Sequence, residues 1–210
     1  MTKTWHLTLP LTEEAVRALN VGDQVFLSGD IVTTIGMPTH QRLLDCLDAG
    51  EPLPVDLKGG GFFHLSSYNR ENPATASGYE ALYMNPSTST RYFETMPRII
   101  RSFGLRLVGG KGGLDMECVR ALQEAGCAYL SFLGGGCALH TQAITEVVSV
   151  HWTDYISQFR LVTLRVTDLE GTVAIDANGN SAYETLRLSA QQRMPQILQE
   201  LNQERSPSGG

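Results

Sequence analysis

The sequence has no apolar run of about 18 residues, the shortest length that usually crosses a membrane as a helix. Its first residues, MTKTWHLTLPLTEE, lack the order of charged and then apolar residues found in a signal peptide. The chain also has no basic excess, because its net charge is -6 and its basic residues are scattered. These absences predict a cytoplasmic protein that binds neither membranes nor nucleic acid.

Cysteine is scarce, and the cysteines that occur form no C-x-x-C pair. This spacing excludes a zinc knuckle or an iron-sulfur motif built from neighbouring cysteines. The sequence therefore predicts no metal-binding or cofactor-binding residues in this chain, and most of the thiols are expected to be buried. The cysteines are Cys46, Cys118, Cys127 and Cys137.

What the sequence does contain is typical of a globular protein, with 42% hydrophobic and 18% charged residues. A length of 210 residues favours one compact domain, predicted over residues 1–202 and followed by a flexible polar tail at residues 203–210. Strand-like and helix-like segments alternate through the last two-thirds of the chain. This alternation predicts an α/β fold with a mostly parallel sheet.

Some helices are marked by residues at their ends. Thr12 is predicted to cap the first helix, and Asp115 and Gly126 are predicted to begin and end another. A proline near the first turn and a closing glycine predict a helix in PTHQRLLDCLDAG.

Other segments are assigned from hydrophobic spacing alone. Residues from Ser89 to Phe103 are predicted to form one helix, with Pro97 within its first two turns or at a kink. CALHTQAITEVVSVHW is also predicted to be a helix, whereas FRLVTLRVTDL and TVAIDANG are predicted to be two paired strands.

Two loops that follow strands and precede helices are the best candidates for a ligand site, because α/β sheets bind ligands there. In NPSTSTR, free backbone N–H groups and hydroxyls at a helix N-terminus favour an anion, and Arg91 suits a carboxylate. In GGKGGLD, glycines let the backbone approach a ligand while Lys111 adds positive charge. Together they predict recognition of an anion with two or more carboxylates. Each loop alone is more often structural, as a helix cap or a surface turn.

His40 is a candidate acid or base, because it lies near the start of a helix and histidine titrates near neutral pH. A single histidine is more often an ordinary surface or core residue, so both interpretations remain open. His64, at the end of a strand, is predicted to be a structural histidine with satisfied hydrogen bonds. His140 and His151 have no metal-ligand spacing.

An ordered series of short motifs covers nearly the whole chain, from about Leu9 to Met194. The series is GDQVFLSGDIVTT, THQRL, FFHLSS, NPSTSTR, LVGGKGG, FLGGGCAL, VHW and VAIDANGNS. In this order the motifs resemble the beta subunit of the class I iron-sulfur hydro-lyases. That group includes the L-tartrate dehydratase beta subunit and the C-terminal domain of class I fumarases.

The resemblance implies a swivelling β/β/α domain that closes over a partner alpha subunit in an αβ or α2β2 assembly. The partner would carry a [4Fe-4S] cluster with one open iron, a Lewis acid for the departing hydroxyl of a hydroxy acid. This chain would supply residues that bind a small carboxylic acid and move protons. The cysteine spacing agrees with that division of labour.

The resemblance also gives roles to individual residues. His40 matches an active-site histidine of the family, and Ser87 stands where the family usually has a threonine proposed as the proton-abstracting base. Arg91 and Lys111 match basic residues that bind substrate carboxylates, and Thr88 is predicted to bind substrate beside them.

One departure from the family changes the expected substrate. The family usually has an Arg-Asp pair shortly before the histidine, whereas this chain has Ile35 to Pro38. Loss of the arginine removes a charge-assisted contact worth about 1.5–3 kcal/mol. This predicts a less charged or bulkier acid. Met37, Tyr68 and Tyr92 are candidates for the lining of a more apolar pocket, although an aromatic residue near a helix start more often has only a packing role. The alternative is a non-catalytic anion-binding or regulatory subunit that has kept the fold.

Overall fold

The structure is a computed structural model that describes residues 2–205. Its strands are β1 Thr4–Thr8, β2 Gln24–Thr33, β3 Gly61–Phe63, β4 Leu65–Glu71, β5 Tyr79–Pro86, β6 Leu107–Gly110, β7 Ala128–Ser131, β8 Ile144–His151 and β9 Leu161–Ile175. Its α-helices are α1 Glu13–Arg17, α2 Met37–Ala49, α3 Met96–Ser102, α4 Met116–Ala125, α5 Cys137–Gln142 and α6 Ala182–Arg205. Two 3-10 helices cover Ser89–Tyr92 and Ser157–Phe159.

The main sheet has the strand order β1-β2-β3-β6-β7-β9-β8. Neighbours from β1 to β7 are parallel, whereas β9 runs antiparallel to β7, to β8 and also to β2. Because β9 pairs with both β7 and β2, the strands β2, β3, β6, β7 and β9 close into a ring. The α/β class is confirmed, and the predicted parallel sheet is correct for its centre but not for β8 and β9. A separate hairpin joins β4 to β5.

The prediction of two paired strands in the last third of the chain is wrong. Both segments belong to the single long strand β9. Its first half pairs with β8, its last residues pair with β7, and most of its length pairs with β2. Glycine at Gly171 did not mark a turn, because pairing with Val25 of β2 carries the strand straight through it.

Two predicted helices are also wrong in extent. The segment from Ser89 to Phe103 is divided into a 3-10 helix and α3, and Pro97 lies at the start of α3, where a missing N–H costs little. The helix predicted in CALHTQAITEVVSVHW ends at Gln142, and β8 follows. The β-branched residues of TEVVSV favour the strand that β9 pairs with.

The predicted helix ends are confirmed where capping residues marked them. Thr12 accepts a hydrogen bond from the Ala15 N–H, and Asp115 accepts one from the Cys118 N–H. Gly50 and Gly126 end α2 and α4 in the left-handed conformation that glycine adopts easily.

The core lies on the two faces of the sheet. Neighbouring residues of a strand point to opposite faces, so Phe62 packs with the helices while Phe63 packs inside the ring. The ring interior is filled by buried side chains from all five of its strands, such as Leu27, Leu107 and Leu164. This rigid ring holds the strand ends that carry the candidate site.

The last helix, α6, leaves the body of the domain. Ser181 is buried just before it, whereas every residue from Thr185 to Gln203 is exposed. The helix continues to Arg205, beyond residue 203 where a tail was predicted, and residues 206–210 lie outside the described part of the chain. Within residues 2–205, no helix combines the length and the apolar character needed to cross a membrane.

Candidate active site

Three parallel strands end at one edge of the sheet, and the candidate site lies there. The chain leaves β2 at Thr34, β3 at His64 and β6 at Lys111. The backbone joins these exits, because Thr34 N–H bonds to the Phe63 carbonyl and His64 N–H bonds to the Gly109 carbonyl at 2.7 Å. Carboxyl ends of neighbouring parallel strands are the usual ligand position in such sheets.

The two loops singled out from the sequence are bonded directly to each other. Lys111 N–H donates to the Ser87 carbonyl at 2.9 Å, and Ser89 N–H donates to the Lys111 carbonyl at 2.8 Å. Ser87 N–H in turn donates to the His64 carbonyl at 2.8 Å. The two loops that the sequence analysis combined into one candidate site are therefore in direct contact.

The prediction that free backbone N–H groups of the NPSTSTR loop bind an anion is wrong in part. The N–H groups of Ser87 and Ser89 are already used in bonds to backbone carbonyls. A short 3-10 helix follows Thr88, whose side chain forms no capping bond. An anion at this site would therefore be bound mainly by the positive side chains of Arg91 and Lys111, rather than by a row of backbone N–H groups.

Glycines of the second loop serve the packing of the site. A Cβ atom at Gly110 would lie 2.4 Å from the Ser89 Oγ and 2.9 Å from the Ser87 carbonyl oxygen. At Gly113, which has a φ of +78°, it would lie 2.4 Å from the Tyr183 ring. The expectation that these two glycines give a ligand access to the backbone is therefore wrong. They allow parts of the protein to approach each other.

A buried stack of His40, Tyr92 and His64 lies behind the loops. The Tyr92 ring centre is 4.3 Å from that of His40 and 4.2 Å from that of His64. All three side chains are at most 1% exposed. The Tyr92 hydroxyl also donates to the Ile35 carbonyl, which ties the stack to the loop between β2 and α2.

Burial keeps both imidazoles neutral in this chain. Desolvation lowers the pKa of His40 to about 3. Desolvation, with a further contribution from His40, lowers the pKa of His64 well below its usual value. The expectation that His40 titrates near neutral pH is therefore wrong for the chain alone, and a neutral ring acts there through hydrogen bonds.

Each buried imidazole bonds a hydroxyl through Nδ1. His40 Nδ1 is 2.9 Å from the Thr95 Oγ1, and His64 Nδ1 is 2.8 Å from the Ser89 Oγ. The Tyr129 hydroxyl donates to the same Ser89 oxygen at 2.9 Å. Nε2 of both rings is buried without a hydrogen-bond partner among residues 2–205. The prediction that His64 is fully satisfied is thus wrong.

The cationic side of the site is more open. Arg91 is exposed and Lys111 is half-buried. Neither forms an ion pair within residues 2–205, whereas arginines elsewhere, such as Arg98 with Asp48, do. Ser87 is half-buried beside the Tyr92 phenol. The structure therefore places Ser87, Thr88, Arg91 and Lys111 on one pair of joined loops, in front of the histidine stack.

A model of the protein family described as Fumarase C-terminus matches residues 2–186. The chain belongs to this family. A protein of Geobacillus stearothermophilus named "Putative fumarate hydratase class I" is 32% identical over 191 residues, which cover 91% of this chain and 36% of that protein. The L(+)-tartrate dehydratase subunit beta of Escherichia coli strain K12 is 30% identical over 197 residues, which cover 93% and 94% of the two chains. This chain thus spans about a third of the first relative and nearly all of the second.

Within the fumarase C-terminus family fold, the unusual Ile35 to Pro38 segment is held by a neighbouring loop. A Cβ atom at Gly36 would lie 2.8 Å from the Phe159 Cγ. The Thr39 hydroxyl also bonds the Phe159 carbonyl. Aromatic packing against Phe159 therefore fixes the start of α2 in this segment.

A second contact holds α2 on its outer side. Arg42 pairs with Asp154 at 2.8 Å and lies over the Trp152 ring at 5.1 Å. Trp152 has a φ of 57°, a conformation uncommon for a bulky residue. As expected from its i+2 offset, Arg42 points away from the direction of His40.

Of the three residues expected to line an apolar pocket, Tyr92 alone lies in the histidine stack. Tyr68 stacks on Tyr83 in the β4–β5 hairpin, with ring centres 5.8 Å apart. Met37 is 39% exposed at the first residue of α2. Of the three predicted pocket residues, Tyr92 is thus the one that packs against the buried histidines.

The donor set of the chain does not fit an iron-sulfur cluster. Within residues 2–205, no group of three His, Cys, Asp or Glu side chains is placed to hold a metal ion. Cys118 and Cys127 are buried, and burial raises the pKa of both thiols, which disfavours the thiolate that iron requires.

Three site residues were given no role by the sequence analysis: Ser89, Thr95 and Tyr129. Tyr92 was named as a pocket residue, but its stacking with the two histidines was not predicted. Tyr129 carried a weak signal, because the hydroxyl of a tyrosine in a buried strand needs a partner. Thr95 carried none, since its partner His40 is 55 residues away.

Proposed function

We propose that this chain is the beta subunit of a cytoplasmic hydro-lyase that adds water to, or removes it from, a hydroxy acid. Membership of the fumarase C-terminus family supports this, as does the likeness to a tartrate dehydratase beta subunit. The observation that carries the proposal is the joining of the Ser87 and Lys111 loops at the carboxyl ends of the strands. Hydroxyl, cationic and imidazole groups meet there.

The carboxylate of the substrate is proposed to bind Arg91 and Lys111, with Thr88 as a further hydrogen-bond donor. Both cations lack a carboxylate partner within residues 2–205, so an incoming anion displaces none. The loop Ile35 to Pro38 offers no charge at the position of the family's Arg-Asp pair. We therefore propose a hydroxy acid whose remainder is less charged or bulkier than that of tartrate.

Ser87 is proposed to take the proton from the carbon beside the hydroxyl-bearing carbon. A serine hydroxyl is a weak base, and positive charge nearby favours its deprotonated form. Lys111 lies on the loop that is bonded to Ser87, and Arg91 follows four residues later. His40 is proposed to orient the reacting group by accepting a hydrogen bond on its neutral ring.

The [4Fe-4S] cluster is proposed to belong to a partner alpha subunit, because the donor set here does not fit it. When bound, such a cluster supplies a Lewis acid for the leaving hydroxyl. The exposure of Arg91 beside the buried stack supports a site that a partner completes. This chain would then form a swivelling domain that closes over the alpha subunit, in an αβ or α2β2 assembly. Closure would bring the residues of this chain and the cluster of the partner into one site.

The exposed helix α6 is proposed to dock on the same alpha subunit. Six large apolar side chains are exposed along this helix, an apolar surface that suits contact with another protein. They are Leu186, Leu188, Met194, Ile197, Leu198 and Leu201. The partner of this helix is assigned as an alpha subunit because the relative that matches nearly end to end is a subunit beta.

Changing Leu186, Ile197 and Leu201 to serine tests that docking. Because all three are exposed, the free energy of unfolding should change by less than about 1 kcal/mol, while capture of the alpha subunit falls strongly. If capture is unchanged and a dimer of this chain is lost instead, a second copy of the chain is the true partner of this helix.

Co-purification with the alpha subunit under anaerobic conditions tests the proposed function. The complex should be brown, from the cluster, and should hydrate or dehydrate at least one acid in a panel of mono- and dicarboxylic hydroxy acids and their amides. A complex with an intact cluster that converts no acid in the panel would contradict the proposal.

A non-catalytic anion-binding or regulatory subunit is the second candidate. It is favoured by the neutral, buried histidines and by the uncharged Ile35 to Pro38 segment. In that case Ser87→Ala and His40→Asn should leave the activity of the whole assembly unchanged while anion binding persists.

A further inference from the structure

Two buried nitrogen atoms of the site have no hydrogen-bond partner within residues 2–205, namely Nε2 of His40 and Nε2 of His64. Both rings are fully buried, and their centres are 5.2 Å apart with a 28° angle between their planes. Buried polar atoms are nearly always bonded, so an unbonded pair in neighbouring rings requires an explanation. A neutral imidazole carries one proton, on either Nδ1 or Nε2. What each Nε2 atom can bind therefore depends on which of the two nitrogens of its ring carries that proton.

The Thr95 hydroxyl has two possible acceptors for its one proton, the His40 Nδ1 at 2.9 Å and the Tyr92 carbonyl, and we assign the proton to the carbonyl. The Thr95 hydroxyl can donate to the Tyr92 carbonyl at 3.3 Å, and a carbonyl oxygen can only accept. A hydroxyl has one proton, so the bond between His40 and Thr95 then requires His40 to donate from Nδ1. The Nε2 atom of a neutral His40 is left without a proton, as a hydrogen-bond acceptor.

Ser89 fixes the proton of His64 in the opposite way. The Tyr129 hydroxyl donates to the Ser89 oxygen at 2.9 Å. Ser89 is fully buried, and its own proton has the His64 Nδ1 as the acceptor 2.8 Å away. His64 Nδ1 is then unprotonated, so the Nε2 of a neutral His64 carries the proton and is a donor.

We propose that His40 and His64 are held in opposite tautomers and together bind one small group that both accepts and donates a hydrogen bond, a hydroxyl. The stacked rings offer one acceptor and one donor, which a carboxylate or an ammonium group would satisfy only in part. In the chain alone the hydroxyl is a water molecule. In the complex it is the hydroxyl of the acid, and this second statement rests on the proposed function. Thr95, Ser89 and Tyr129 are positioning residues, because they act through the imidazoles.

The tautomers are tested by nitrogen-15 and proton NMR of the full chain with labelled histidine at pH 7. The His40 and His64 signals are assigned from His40→Asn and His64→Asn variants. Both rings should be neutral, with the His40 proton on Nδ1 and the His64 proton on Nε2. The same tautomer in both rings, or a charged ring, overturns the proposal.

Variants of the positioning residues separate this role from a merely structural one. Thr95→Val should remove the fixed Nδ1 proton of His40 and leave His64 unchanged, and Thr95→Ser should restore the wild-type pattern. Ser89→Ala should alter His64 alone. An unchanged His40 pattern in a folded Thr95→Val protein overturns the assigned role of Thr95.

The hydroxyl is tested by a cross-relaxation signal from the His64 Nε2 proton. In the chain alone the signal should lead to water in slow exchange. In the complex with the alpha subunit, L-malate should replace that signal with one to the ligand, and succinate, which lacks the hydroxyl, should not. If neither the water signal nor the L-malate signal is seen, the shared hydroxyl is overturned. Failure of the complex to turn over any acid would leave the water signal intact, so it counts against the proposed function alone.

Discussion

The buried and the exposed halves of the candidate site are built on opposite principles. His40, Tyr92 and His64 are packed together without charge, and every ring is fixed by contacts within the chain. Arg91 and Lys111 carry charge, and no carboxylate within residues 2–205 pairs with them. The contrast indicates that this chain fixes the positions of its buried rings by itself, apart from the unbonded Nε2 atoms of the histidines, whereas Arg91 and Lys111 remain available for an anion.

The largest expected effect is at Ser87, where the two halves meet. Ser87→Ala should lower the kcat of the complex about 100-fold to 10,000-fold, the usual loss when a positioned base is removed. Ser87→Thr, which restores the residue usual in the family, should keep most of the activity. Initial rates on the best acid of the panel measure both, and a Ser87→Ala rate within threefold of wild type would show that another group takes the proton.

A smaller effect is expected on the exposed half alone. Arg91→Ala should lower kcat/KM by about 10-fold to 100-fold, because a charge-assisted contact to the carboxylate is lost. The free energy of unfolding should stay the same, since Arg91 is exposed and unpaired within residues 2–205. Arg98→Ala is the matched control, because it removes a surface arginine that pairs with Asp48 and should leave kinetics unchanged. Equal kinetics for both variants would remove Arg91 from the substrate site.

The buried half should make the stability of the chain depend on pH. The pKa of His40 is about 3 when folded and about 6.5 when unfolded, so the unfolded state binds the proton first as the pH falls. The contribution of His40 is present above pH 6.5 and should fall by about 2 kcal/mol between pH 7 and pH 5. Urea unfolding at both values measures it, and His40→Gln should have a flatter profile. Parallel profiles for the two proteins would mean that His40 is not held neutral by burial.

The close contact between the two loops gives a prediction on stability. Gly110→Ala would place a methyl group 2.4 Å from the Ser89 Oγ and should cost about 1–3 kcal/mol of the free energy of unfolding. Gly134→Ala is the control, because the nearest atom, the Lys111 Cδ, is at an ordinary 3.5 Å. Denaturant midpoints measure both variants. Equal midpoints would show that the loops can separate freely.

Local signals in the sequence predicted the parts of the fold that depend on neighbouring residues. Thr12, Asp115 and Gly126 cap helices through bonds to residues a few positions away, and the structure confirms them. The continuous strand β9 depends instead on its pairing with β2, more than 100 residues earlier, and no residue near Gly171 announces it.

The candidate site divides in the same way. Both loops were predictable as candidates because each follows a strand and precedes a helix, but their direct bonding was not, since the Ser87 loop follows β5 of the antiparallel hairpin. The bonds of His40 to Thr95 and of Tyr129 to Ser89 join distant parts of the chain, so spacing held no information about them. The depressed pKa of His40 was equally hidden, because it arises from complete burial.

Reconstitution of the complex tests the central claim most directly. The alpha subunit with an intact cluster is assayed alone, with the wild-type chain, and with the double variant Ser87→Ala and Arg91→Ala. The account predicts that the alpha subunit turns over a hydroxy acid only in the sample that contains the wild-type chain. The double variant should assemble with the alpha subunit but give no turnover. Equal turnover in all three samples would show that this chain contributes no part of the active site.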